Sequence, residues 1–165
     1  MSFKLIIDEM EDAAGAFRTS LGYNDNDFII SFNELLERVN RIENLIIKQY
    51  DSPLKPMVAF TDTGFKIILS NNSDERTNKE QLLHEMAHIL FGDEMPKYCG
   101  DQDKISEERA DLFVRCFLMP KRQFMNAVIE NSNSNEIVNI NEIARVFNVN
   151  TYMVLKRGEE LLGWR

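Results

Sequence analysis

The stretch Gln81–Leu90, QLLHEMAHIL, constrains this chain more than any other. It holds both histidines of the sequence, His84 and His88, with Glu85 beside the first. On an α-helix, residues four apart lie one turn apart on the same side. The two imidazoles would therefore face one point, while Leu82, Leu83, Met86 and Leu90 would need an apolar neighbour. Thr77 followed by Glu80 reads as a capping box, and Gly92 stands where a helix C-cap wants a glycine. A helix is predicted over Asn78–Phe91. The chain must bury one side of it and keep a polar cluster on another.

The flanking sequence supplies the packing partners. Phe3, Ile6, Ile7, Met10, Ala14, Phe17 and Leu21 recur at helical spacing and predict a helix near 3–20. Ser31 with Glu34 opens a second, whose apolar face runs through Phe32, Leu35, Leu36, Val39, Ile42 and Ile46 and fades by Tyr50, before the turn DSPLKP. MVAFT and FKIILS, Met57–Thr61 and Phe65–Ser70, surround the turn Asp62-Thr63-Gly64 and predict a hairpin. A polar, irregular segment is expected from Asp93 to Ile105. Ser106 would then cap a helix to Met119, and Pro120 would end it and start another through Ile129. NSNSNE, from Asn131, reads as a loop before two short helices near Asn141–Phe147 and Tyr152–Leu162. With 165 residues, no internal repeat and no interdomain linker, one domain over 1–165 is expected.

Composition narrows the classes of function. A net charge of −8 opposes a phosphate-coating role, because nucleic-acid affinity rests on lysine and arginine neutralising phosphates. No apolar run approaches a membrane span. The start MSFKLIIDEMED passes from a short apolar patch straight to acids without a cleavage-site pattern, so a cytoplasmic protein is expected. Cys99 and Cys116 form no disulfide framework and are expected as thiols.

Two histidines and a glutamate in the order H-E-x-x-H are the metal-binding and proton-handling parts of a hydrolytic zinc site. In open three-ligand sites the pKa of a zinc-bound water falls to about 7, and a nearby glutamate takes its proton as the water attacks a carbonyl. A third ligand is then required, and no third histidine exists. The segment SEERADLF offers Glu107 and Glu108. Glu107 is the better choice, because Asp111 lies four residues on and shares its face. Asp111 can accept a hydrogen bond from the far nitrogen of a ligand histidine and fix its tautomer. The bland alternative is a helix with two satisfied core histidines, but that leaves Glu85 an unexplained polar group in an apolar run. Cys99 is a weaker ligand candidate, since a lone cysteine is usually just buried.

With FKIILSNN, LLHEMAHILFG, EERADLFVRCFLMP and IARVFNVNTYMVLKRGEELLG in that order, residues 57–163 resemble the ImmA/IrrE family of bacterial metallopeptidases. Val114 departs from the family's usual alanine at a packing position. The resemblance implies one Zn2+ per chain held by His84, His88 and Glu107, with Glu85 as general base. It implies an α+β, mainly helical zincin-like fold: N-terminal helices over 1–50, a catalytic core over 57–130 with a small sheet, and a helical hairpin over 137–165. Phe65, Lys66, Ile67, Ile68, Leu69 and Ser70 would form the edge strand that holds an extended substrate by β-addition. Tyr98 and Arg109 are candidates for stabilising the oxyanion. The implied partner is a transcriptional repressor cleaved by the enzyme, in a mobile-element setting, with no membrane involved.

The tail IARVFNVNTYMVLKRGEELLG looks like a helix-turn-helix, with Thr151 capping a would-be recognition helix. Lys156 and Arg157 are its only basic residues, and Glu159 and Glu160 follow directly. Ile143, Val146, Phe147, Val154, Leu155, Leu161 and Leu162 more simply form a packing face, so nucleic acid is not the expected partner. Three functions thus stand side by side: a zinc endopeptidase, a catalytically silent metal-binding regulator, and, last, a DNA-binding regulator.

Overall fold

The computed structural model describes residues 3–24, 26–51, 55–71, 73–92, 101–133 and 137–164. In chain order the elements are α1 (Phe3–Ser20), α2 (Phe32–Val39), β1 (Leu45–Tyr50), β2 (Met57–Thr61), β3 (Gly64–Ser70), α3 (Glu75–Phe91), α4 (Asp101–Leu118), α5 (Lys121–Glu130), α6 (Ile140–Phe147) and α7 (Thr151–Leu162). This is the α+β, mainly helical architecture with a small sheet that the sequence predicts. Two compact units are present, one of residues 31–114 and one of residues 1–30 with 115–165.

In the unit of residues 31–114 the sheet has the order β1-β3-β2. The predicted hairpin forms, with Met57 opposite Ile68 and Thr61 opposite Gly64. The second predicted helix, however, ends at Val39, and Leu45–Tyr50 is a strand parallel to β3. Ile42 and Ile46 match the helical period only by coincidence. Asn44, in the left-handed conformation at φ 60°, reverses the chain, and Leu45-Ile46-Ile47 then suits a pleated surface. A consequence is that Phe65–Ser70 is the central strand and not the expected edge. Both of its flanks are occupied, and β1 and β2 are the edges.

Helix α3 starts earlier than predicted. Asp74 is its N-cap and accepts from the Arg76 and Thr77 amides at 2.9 and 3.2 Å, so Thr77 lies inside the helix. Gly92 closes α3 in the left-handed conformation, as expected. Leu82, Leu83, Met86 and Ala87 are buried, whereas Leu90, expected in the core, is exposed in the last turn. Helix α4 starts at Asp101, so Ser106 is an interior residue rather than a cap. Tyr98 and Cys99 lie outside the described residues.

In the other unit, Ile7, Met10, Ala14 and Phe17 form the buried stripe of α1. Arg18, also buried, donates to the Phe117 carbonyl and the Asp27 carbonyl, each at 2.7 Å. Asn150, not Thr151, stands at the N-cap position of α7. The predicted packing face of α6 and α7 holds at Ile143, Phe147 and Val154, but Leu155 and Leu162 are exposed. Arg157 takes an inward position instead. Fully buried, it donates to Glu11, to Glu160 at 3.3 Å and to the Met119 carbonyl at 3.1 Å. Cys116 is buried, and burial pushes its thiol above the usual cysteine range.

Candidate metal centre

Two helices of one unit build the site. On α3 the apolar residues Leu82, Leu83, Met86 and Ala87 hold the helix down, which leaves His84 and His88 on another side, their rings 4.8 Å apart. Helix α4 brings Glu107 against both. The Nε2 atoms of the two histidines lie 3.1 Å apart, and Glu107 places its carboxylate oxygens 3.1 Å from His84 Nε2 and 3.4 Å from His88 Nε2. One donor atom from each of the three residues falls within 4.8 Å of the others. Two imidazole nitrogens and one carboxylate are a donor set suited to zinc, and this set matches three-ligand sites that keep a fourth position for substrate or water.

The far sides of the rings are also occupied. His84 Nδ1 lies 3.0 Å from Asp111 Oδ1, and His88 Nδ1 lies 3.3 Å from Ser106 Oγ. Ser106 was missed as a site residue because its sequence context reads as a helix start. Burial alone would depress the His84 imidazolium, but the Asp111 hydrogen bond and the charges of Asp111, Glu107 and Glu85 outweigh it and raise the pKa.

Glu85 is only 8% exposed. Burial raises its pKa above the usual glutamate range, against the opposing pull of His84, His88 and the Val58 amide of β2. A carboxyl with that history suits proton exchange closer to neutrality. Helix α3 packs under β3 and β2, and among the described residues the edge strand of the sheet nearest Glu85 is β2. Arg109 turns elsewhere. Its guanidinium carbon lies 4.8 Å from the centre of the Phe91 ring, which in turn meets Phe113 edge-on.

A family model for a peptidase family, described as the IrrE N-terminal-like domain, matches residues 44–158. No curated protein matches the chain. Among solved structures, a Mycobacterium tuberculosis transcriptional regulator is similar in fold, with a TM-score of 0.68 at 15% identity. The similarity covers 96% of this chain and 52% of that one, so this chain spans about half the length of that regulator. The family match takes in the whole sheet, α3, α4 and the site residues between them, and extends into α7. This chain belongs to the IrrE N-terminal-like domain family and carries a metallopeptidase-like domain.

Proposed function

We propose that the chain is a zinc-dependent endopeptidase that hydrolyses a peptide bond in a regulatory protein, with a partner transcriptional repressor as substrate. The observation that carries this reading is the convergence of His84, His88 and Glu107 on one point beside the buried carboxyl of Glu85. His84, His88 and Glu107 would hold the zinc, which when bound would supply a Lewis acid to polarise the scissile carbonyl and make water nucleophilic near neutral pH. Glu85 takes a proton from the attacking water on a carboxylate oxygen and returns it to the departing amide nitrogen. The products are a new carboxyl terminus and a new amine. Asp111 holds the His84 ring in orientation through Nδ1. An extended substrate would add to the free side of β2, which borders Glu85.

The regulatory setting draws support from the family resemblance and from a fold neighbour that is named a transcriptional regulator. The same neighbour favours a second reading, a regulator that holds metal and acts by contact without cutting. DNA contact through the tail has lost its main support, since Arg157 is buried and Lys156 is paired with Glu159 at 2.8 Å. Co-expression with a candidate repressor chosen from its genomic neighbourhood decides between the first two. A cleavage product that disappears in Glu85→Gln supports the endopeptidase. Relief of repression without cleavage, equal in the wild type and Glu85→Gln, supports the silent regulator. Cleavage that persists in Glu85→Gln sinks the proposed mechanism.

A further inference from the structure

We infer that Ser106 is a positioning residue for His88, the counterpart of Asp111 for His84, and that α4 thereby orients both imidazoles as well as supplying Glu107. The inference rests on the metal reading above and deepens it. Both histidines turn Nε2 towards Glu107 and towards each other. With Nε2 committed to a metal, a neutral imidazole carries its proton on Nδ1 and needs an acceptor there. The Asp111 carboxylate is that acceptor for His84 at 3.0 Å, and the Ser106 hydroxyl oxygen is the acceptor for His88 at 3.3 Å.

The Ser106 side chain is half-buried, and its oxygen reaches across to the neighbouring helix. The two acceptors also differ in kind. Asp111 is an anion and strengthens His84 as a donor, whereas the neutral Ser106 orients His88 without adding charge. His88 is therefore the more weakly supported ligand. Removing Ser106 should cost less than removing Asp111, and both should act on metal affinity through their histidine.

The test uses the full chain and zinc alone, with affinity read by competition against a chelator of known strength. Ser106→Ala should weaken zinc binding about tenfold, while Ser106→Thr, which keeps the hydroxyl, should stay close to the wild type. In zinc-loaded protein, proton NMR should find the His88 Nδ1 proton in slow exchange with water in the wild type and in faster exchange in Ser106→Ala. A purely structural role for the serine would not move that exchange rate. Unchanged zinc affinity in Ser106→Ala overturns the inference, as does a threonine variant as weak as alanine or an unaltered exchange rate. A wild-type chain that binds no zinc overturns the metal reading together with it, so the two failures are distinguishable.

Discussion

The two histidines are bound to their surroundings through all four ring nitrogens, and those surroundings come from a segment some twenty residues away in sequence. The Asp111 contact lies 27 positions from His84, yet its hydrogen bond and charge, together with the charges of Glu107 and Glu85, outweigh burial and raise the His84 pKa. Replacing Asp111 by Asn should lower zinc affinity about 10- to 100-fold, read by chelator competition, because the ring loses its anionic acceptor. The spacings H-E-x-x-H and Glu107/Asp111 were legible in the sequence because each falls within one turn of one helix. Ser106 was not, because the turn before it, 101–105, has no apolar period that would mark it as helical. Lys79 is a second residue whose behaviour only burial reveals. Fully buried on α3, it has its pKa lowered from 10.5 to about 8 by desolvation, against the charges of Glu75 and Glu80. The unfolded chain therefore holds the Lys79 proton more tightly than the folded one. Its contribution to stability is present above pH 10.5 and lost as pH falls through about 8. Urea unfolding should find wild-type stability relative to Lys79→Met rising by up to about 3 kcal/mol across that window. A difference that stays flat with pH contradicts it.

At the scale of elements, the sheet is where local reading failed. A helical period carried past Val39 hid β1, and without β1 the strand Phe65–Ser70 seemed to have a free side. The junction that corrects this is tight. Gly64 has φ +136°, and a Cβ there would stand 2.0 Å from the Asn44 carbonyl oxygen, which accepts from the Phe65 amide at 2.8 Å. Gly64→Ala should therefore destabilise the chain by at least about 2 kcal/mol, measured by urea unfolding, since both the backbone region and the space exclude a side chain. A cost near zero would show that the β1–β3 junction can relax. The hairpin, by contrast, was readable because its turn and both strands lie within one short segment. The ends of α3 show the same limit: Gly92 was placed correctly, while Asp74 was passed over for Thr77, three residues on, which could also cap.

For the molecule as a whole, charge and burial agree on what the tail does. The chain carries −8, and the arginine that a recognition helix would offer to phosphates is instead the buried centre of a cluster with Glu11, Glu160 and Arg115. Replacing Arg157 by Met should leave Glu11 without its buried partner and Glu160 with Arg115 alone, and cost about 3–5 kcal/mol in thermal or chemical unfolding. DNA fragments should show no salt-sensitive retardation with the wild type at physiological ionic strength. Retardation lost in Arg157→Met at unchanged stability would reverse this assignment.

By itself the sequence determined the helices, the hairpin and the group of residues able to hold a metal. Each of those is encoded in spacings within a turn or two of chain, where periodicity, caps and turn residues act. Only the tertiary structure decided the order of the strands, the edge position of β2 beside Glu85, the Ser106 contact at His88 Nδ1 and the burial of Arg157 and Lys79. Those depend on which distant segments meet, and a hydrogen bond or an ion pair across 18 to 146 residues leaves no period in the sequence to read.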